Sequence, residues 1–258
     1  MSTAGAGGRP QLAVVGLGSF GSFMAQHLAE HFELLVHDRR DVSATARRHD
    51  WQAVTLEQAA GCGRVVLAVP VAALPSLLER LAPHLKPGTL VIDVSSVKVR
   101  PLELMRVHLP EHVDFVGSHP LFGPQSGARG VQGLKIALCP GRIDAPRLAR
   151  LRRFLEDTLR LRVCDVSPEE HDQQMAYVQG LTHLMGWAFK RLDPPESALS
   201  TLAYDSMLHL EHNVEHDSIE LFFTIQRENP FAREVRHELL RALQHLNDLI
   251  EADPAGSG

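Results

Sequence analysis

Residues 16–21 read Gly16-Leu17-Gly18-Ser19-Phe20-Gly21, a GxGxxG turn. The apolar run at 12–16 precedes it and an amphipathic stretch to about residue 30 follows, so the turn joins a buried strand to a helix. That context turns a weak glycine pattern into a strong constraint. The first glycine permits the tight turn, the second lets backbone approach a pyrophosphate, and the third lets helix pack on strand. The helix start supplies N–H groups and the positive end of a dipole to an anion. Gly16, Gly18, Ser19, Phe20 and Gly21 are therefore candidate dinucleotide contacts. A second strand at 33–37 ends at Asp38, a little over 20 residues on. A carboxylate there accepts hydrogen bonds from ribose hydroxyls and repels a 2′-phosphate. This favours NAD; Arg39 and Arg40, next in the chain, leave NADP possible. Val69 and Pro70, ending a further strand at 64–70, complete the cofactor candidates.

More apolar runs at 89–94, 113–117, 134–138 and 161–166 alternate with helical stretches at 74–81, 97–108 and 145–158. Near-continuous apolar strands separated by helices require a sheet covered on both faces. The expectation is an α/β fold: a Rossmann-like, doubly wound, mostly parallel sheet. After Ser167 the rhythm changes. Ser167-Pro168-Glu169-Glu170 reads as an N-cap, a proline at the first helical position and acids in the first turn. From there to about residue 250 the pattern is helical, broken at Asp193-Pro194-Pro195 and Asn229-Pro230. The boundary falls near residue 166, giving a dinucleotide-binding domain over 1–166 and an all-helical domain over 167–258. The helical part carries more apolar surface than one small bundle hides, so its helices are expected to form a dimer interface. Residues 1–9 and 252–258 read as mobile tails.

Composition excludes several classes. Lys and Arg number 26 against 31 Asp and Glu, a formal charge of −5. No bulk attraction draws nucleic acid or an anionic membrane. No apolar run approaches the roughly 20 residues of a membrane span, and the glycine-rich start is not a signal peptide. Cys62, Cys139 and Cys164 lie far apart and form no CxxC pair, so neither a disulfide framework nor a zinc site is expected and a reducing compartment fits. The chain is expected in the cytoplasm. Histidines number 15. Pairs such as His108/His112, His209/His212 and His212/His216 have helical spacing but no further ligand cluster, so no metal site is expected.

Two segments follow strands at the carboxyl edge, where ligands of doubly wound sheets bind: Asp93-Val94-Ser95-Ser96-Val97-Lys98, and Gly117-Ser118-His119-Pro120-Leu121-Phe122-Gly123-Pro124-Gln125-Ser126-Gly127. His119, held between a strand and a loop rich in Pro and Gly, is suited to accept a proton near neutral pH. Farther on, Gln179-Gly180-Leu181-Thr182-His183 puts Gln179 and His183 on one helix face.

Together with His171-Asp172 and Asp217-Ser218-Ile219-Glu220-Leu221-Phe222, these motifs resemble the prephenate and arogenate dehydrogenases of tyrosine biosynthesis, in the style of the plant arogenate enzymes. The resemblance runs from about residue 10 to 250. It implies NAD(P)-dependent oxidative decarboxylation of a cyclohexadienol, arogenate or prephenate. His119 would be the catalytic base, and Ser96 would orient it and the nicotinamide. Gln179 and His183 would face substrate, while Gln125 and Ser126 could hydrogen-bond a substrate carboxylate. Asp217 matches an acid of arogenate-specific members, which would pair with an ammonium and disfavour a ketone. The arginine that clamps the side-chain carboxylate in many microbial prephenate enzymes is missing from Ser200-Thr201-Leu202-Ala203-Tyr204-Asp205; Arg233 or Arg227 would have to replace it. Lys98 would act electrostatically or sit on a helix surface, and His171 and Asp172 would be structural.

Two other readings remain open. One is a different NAD(P) reductase with a helical dimer domain, such as a β-hydroxyacid dehydrogenase or imine reductase; those place a lysine or other donor on the helical domain and lack the HPxFGP segment. The other is a regulatory protein that binds a dinucleotide without catalysis.

Overall fold

The computed structural model describes residues 8–215 and 217–252; the tail residues 1–7 and 253–258, and His216, lie outside the described residues. The chain divides into two compact units, one ending at His171 and the other starting at Asp172. The division falls inside a helix, five residues beyond the rhythm change at 166/167.

The first unit is built on an eight-stranded sheet of order β3-β2-β1-β4-β5-β6-β7-β8. Its strands are β1 Gln11–Val15, β2 Glu33–His37, β3 Gln52–Ala53, β4 Arg64–Leu67, β5 Leu90–Asp93, β6 Asp114–Pro120, β7 Lys135–Pro140 and β8 Arg162–Asp165. Pairing is parallel from β3 to β6; β7 runs antiparallel to β6 and parallel to β8. The strand sequences explain the burial on two sides. Ala13 and Val15 join one apolar cluster with Leu74, Leu78 and Met105, whereas Leu12 and Val14 join another with Ala25 and Leu28. Successive side chains point to opposite faces, so a strand apolar at every position needs helices on both. Helices α1 (Ser19–Leu28), α4 (Leu74–Leu81) and α5 (Val99–His108) supply them. A third cluster, Leu90, Val116, Ile136, Leu138, Leu155 and Leu161, lies under α6 (Ala145–Arg153). This is the doubly wound, mostly parallel arrangement expected from the alternation.

Differences from the expected elements are local. Strand β6 continues through His119 to Pro120, because His119 pairs with Ala137 and Pro120 with Ile136 on β7. Helices α2 (Ser43–Arg48) and α3 (Leu56–Ala60) and the two-residue β3 were not anticipated. They are too short to show a period, although a capping box between Thr55 and Gln58 marks the start of α3. The helix expected at 145–158 closes in a π turn over Phe154–Thr158.

The second unit is helical. Helix α7 (Pro168–Met175) opens on the expected cap, the Ser167 hydroxyl accepting from the Glu170 N–H at 3.1 Å. A π turn over Ala176–Leu181 leads into α8 (Thr182–Leu192), followed by α9 (Leu202–Val214), α10 (Ile219–Phe223), a second π turn over Thr224–Glu228, and α11 (Ala232–Glu251). Asp193, in the left-handed region at φ 51°, ends α8 ahead of Pro194-Pro195. The buried apolar cluster here is small: Ala176, Ala232 and Val235, with Leu181 and Phe231 against it. No described helix is long and apolar enough to cross a membrane.

Candidate active site

The parallel register fixes one end of the sheet. Val15 aligns with His37 and Leu67, Leu67 with Asp93, and Asp93 with Gly117. The residues just past that row, Gly16, Asp38, Val69, Ser95, Ser96 and His119, therefore gather at the carboxyl edge.

At Gly16 φ is +101°, and a Cβ there would lie 2.3 Å from the Ala68 carbonyl oxygen; at Gly21 it would lie 2.1 Å from the Gly16 oxygen. Both positions are closed by the protein's own backbone. Gly18 differs: a Cβ would meet nothing within 4 Å. Nothing in the fold requires a glycine there, whereas a ligand lying against the backbone does. Gly18 also precedes α1, whose first turn has no side-chain cap. An open cradle facing free helix N–H groups fits a pyrophosphate, with Ser19 and Phe20 on the first turn. Val69 and Pro70 lie just beyond β4, which ends at Leu67; the Val69 side chain abuts Gly16.

Asp38 is held at the edge of this cradle. Its carboxylate accepts from the Leu17 N–H at 2.8 Å, from the Arg40 N–H at 3.0 Å, and from Arg40 Nε and Nη2 at 3.0 and 3.2 Å. Partial burial alone would raise its pKa. The hydrogen bonds from Arg40 and Leu17 outweigh that and hold it at about 2. Asp38 is thus ionised but already occupied by Arg40. Arg39 projects into solvent.

Beside it, β5 and β6 are tied together by Lys98. This side chain is fully buried, 0% exposed, with Nζ paired to Asp93 and donating to the Ser118 carbonyl at 2.7 Å. Ser118 Oγ donates to the Asp93 carbonyl at 3.0 Å, and Ser95 Oγ to the Asp93 carboxylate at 3.0 Å. A lysine on a helix surface is thereby ruled out: the residue caps two strand ends directly behind His119. A buried ammonium is tolerated because a carboxylate and a carbonyl replace its water.

His119 is 5% exposed. Its Nδ1 lies 2.9 Å from Nε2 of His171, the rings meeting edge to face. Either ring can donate in this pair; in the tautomer with Nδ1–H of His119 donating to His171, Nε2 is the basic nitrogen of the His119 ring. The resemblance assigned the orienting role to Ser96, yet it is His171 that meets this ring; Ser96 sits half-buried on the turn before α5. His171 stood in the sequence as part of a motif, but its contact with His119 joins residues 52 apart in the chain, which no local pattern records.

The loop after β6 carries Gln125 and Ser126. It is seated on α1 through Phe122 against Phe23, ring centroids 6.4 Å apart. The Ser126 hydroxyl accepts from the Gly123 N–H at 3.0 Å, so it braces the loop itself, while Gln125 is exposed.

In the helical unit, Gln179 lies in the π turn and His183 at the start of α8. The π turn is braced by Gln226, whose Nε2 donates to the Gly180 carbonyl at 2.7 Å and whose Oε1 accepts from Arg236 at 2.9 Å. His183 Nδ1 is 3.6 Å from an Asp217 carboxylate oxygen. Burial pushes the His183 pKa down, and the Asp217 charge opposes it only in part. Gln179 Oε1, His183 Nδ1 and Trp187 Nε1 are buried without a hydrogen-bond partner among the described residues. Trp187 was not foreseen; it repeats the four-residue spacing from Gln179 and His183 and reads in sequence as an ordinary core residue. Arg233 is exposed on α11, and Arg227 stacks on Phe223 at 3.9 Å. Among the described residues, no group of three or more potential ligands is placed to hold a metal ion.

A glycine-turn α/β unit with an ionised Asp38 and a buried, ring-paired histidine at one sheet edge defines an NAD(P)-dependent oxidoreductase. Comparisons with known proteins give the family. The model for "Prephenate dehydrogenase, nucleotide-binding domain" matches residues 34–161, and one for "TYRAAT1-like, C-terminal domain" matches 189–255. Arogenate dehydrogenase 2, chloroplastic, of Arabidopsis thaliana is 32% identical over 245 residues, covering 91% of this chain and 68% of that protein. Arogenate dehydrogenase 1, chloroplastic, of the same plant is 30% identical over 88% of this chain, which spans only 37% of that longer protein. The crystal structure of prephenate dehydrogenase from A. aeolicus in complex with hydroxyphenyl propionate and NAD+ shares the fold, with a TM-score of 0.71 at 21% identity, covering 95% of this chain and 92% of that one. The chain belongs to the prephenate and arogenate dehydrogenase family.

Proposed function

We propose that this enzyme oxidatively decarboxylates arogenate to tyrosine. The observation that carries the substrate choice is the Asp217 carboxylate beside His183, 3.6 Å from its Nδ1. A carboxylate at that position pairs with the ammonium of arogenate and disfavours the uncharged ketone of prephenate, whose approach would desolvate it without return. Prephenate is the alternative substrate, turned over more slowly.

The bound nicotinamide supplies the acceptor for the hydride that leaves C4 of the ring. Aromatisation drives the reaction, so the protein's task is alignment and proton handling. His119 Nε2 accepts the C4 hydroxyl proton, and the imidazolium is stabilised by the hydrogen bond from Nδ1 to His171. The electrons of the ring–carboxylate bond enter the ring as CO2 departs, and His119 returns the proton to the oxygen as the phenol forms. Lys98, through the Ser118 carbonyl, fixes the strand end that carries His119. Ser96, Gln125 and Ser126 border this edge. Gln179, His183 and Asp217 are the residues that the family resemblance assigns to substrate, with Arg233 a further candidate cation for a substrate carboxylate.

The glycine turn would hold the pyrophosphate, with Val69 and Pro70 flanking it. Asp38 favours NAD once Arg40 gives way to the ribose hydroxyls, while Arg39 and Arg40 are the groups that would meet a 2′-phosphate. Steady-state assays of arogenate and prephenate, each with NAD and NADP, test both choices. Turnover is expected to be highest with arogenate and NAD, and a preference for prephenate would overturn the substrate reading.

A homodimer is part of the same proposal. Leu240, Leu243, Leu246, Leu249 and Ile250 are exposed along α11, a stripe that a second copy would cover. Sedimentation at micromolar concentration should give twice the monomer mass. The three cysteines are free thiols, which suits a reducing compartment, and we place the enzyme in the cytoplasm.

A further inference from the structure

We propose that Trp187 is a substrate-binding contact, its indole N–H donating to the side-chain carboxylate of the substrate. The inference rests on the arogenate reading above. Gln179, His183 and Trp187 follow one another at four-residue intervals through the π turn and α8, so they form a row on one helix face. Each presents a buried polar atom with no hydrogen-bond partner among the described residues. Folded chains pair nearly all such atoms, and an unpaired one is a cue for something absent from the protein alone. A fourth such atom, Trp51 Nε1, stands alone in the apolar cluster under the sheet; only the Gln179, His183 and Trp187 atoms form a row.

The row is chemically ordered. Gln179 Oε1 is an acceptor, and Trp187 Nε1–H can only donate. The segment from Asp217 to Phe222 meets α8 twice: Asp217 at His183, 3.6 Å away, and Phe222 at Trp187, ring centroids 5.6 Å apart. The negative end of the row thus lies about one helical turn, roughly 5–6 Å, from the donor end. Lys190 Nζ sits 5.1 Å from the Trp187 ring centroid and adds positive charge at that second end. An α-amino acid carries an ammonium and a carboxylate on one carbon. Asp217 suits the first and Trp187, backed by Lys190, the second. This supplies a carboxylate partner where the expected arginine is missing from residues 200–205.

The test is Trp187→Phe, which keeps the ring and removes the donor. KM for arogenate should rise about 10–100-fold, the loss expected for a hydrogen bond to a charged group. The KM for prephenate should rise in parallel, since both substrates carry that carboxylate. KM for NAD should not rise and the thermal midpoint of the free protein should not fall, because an unpaired donor contributes nothing to the empty fold. An arogenate KM within twofold of wild type, or a rise matched by equal losses in NAD binding and stability, overturns the contact. Trp187 and Trp51 are the two tryptophans of the chain, so Trp51→Phe leaves Trp187 as sole reporter. Its emission should shift on titration with arogenate, and an unchanged spectrum at saturating arogenate also overturns the proposal. A wild-type enzyme inactive on arogenate overturns the substrate reading instead, and a Trp187 shift with prephenate then still supports the carboxylate contact.

Discussion

The sheet unit and the helical unit treat their buried groups differently. Behind His119, the ammonium of Lys98 is met by Asp93 and the Ser118 carbonyl, and Asp38 has its oxygens filled by Leu17 and Arg40. In the π turn and α8, the polar atoms of Gln179, His183 and Trp187 are buried with no hydrogen-bond partner among the described residues, His183 having only the Asp217 carboxylate 3.6 Å away. The apolar side follows the same division. Three extended clusters fill both faces of the sheet, whereas the buried cluster of the helical unit holds only Ala176, Ala232 and Val235, and a row of leucines on α11 is exposed. In the first unit the buried charged groups behind His119 are met by the chain itself. In our proposal the polar row of the second is completed by a substrate, and its exposed leucines by a second copy.

The contrast can be broken or sharpened by experiment. The largest effect is expected at His119. His119→Asn should cut kcat by about 10²–10⁴-fold, the usual contribution of a general base, with NAD affinity by calorimetry unchanged. A loss below fivefold would move the base elsewhere. Next is Lys98→Met, which strands the Asp93 carboxylate in the core. Removing one partner of a buried pair costs about 3–5 kcal/mol, to be read as a lower denaturant midpoint; Trp187→Phe, removing an atom with no partner, should show no such drop. If both variants unfold alike, the distinction between the units fails.

Asp217→Asn should lower the arogenate-to-prephenate ratio of kcat/KM by roughly tenfold, about 1.4 kcal/mol of discrimination. An unchanged ratio removes Asp217 from specificity. The smallest effects are in the acid response. His183 is held below its ordinary 6.5 by burial, so the native state resists its protonation and loses stability as pH falls below about 6.5. Asp38 behaves oppositely in origin. Its pKa drops from 3.8 to about 2, so its hydrogen bonds contribute fully above pH 4 and are lost as pH falls from there toward 2. The helical unit should therefore weaken first on acidification. His183→Gln should flatten the slope below pH 6.5, and Asp38→Asn should differ from wild type at pH 7 but not near pH 2.

Several elements are legible in the amino-acid order alone. Helix α4 occupies 74–81 as expected, because its leucines repeat at helical intervals and a proline opens its first turn. The glycine turn, the strand alternation and the Ser167-Pro168 start are readable for the same reason: each is a local rule obeyed over a few residues. The π turns at 154–158, 176–181 and 224–228 are not, since one widened turn barely disturbs a 3.6-residue period. Lys98 is easily misread because a lysine beside a helix start is usually solvated; its burial depends on Asp93 and Ser118, which belong to two other strand ends.

Sequence by itself determined the doubly wound sheet, the dinucleotide turn, the helical second part and the candidate base, since these follow from apolar periodicity and from glycine, proline and histidine at fixed local spacing. Tertiary structure alone decided which groups touch. It put His171 on Nδ1 of His119, seated Lys98 behind the strand that carries that histidine, turned Arg40 onto Asp38, and left Trp187 with an unpaired donor. Hydrogen bonds and burial depend on distances between segments far apart in the chain, and no short window of sequence holds that information.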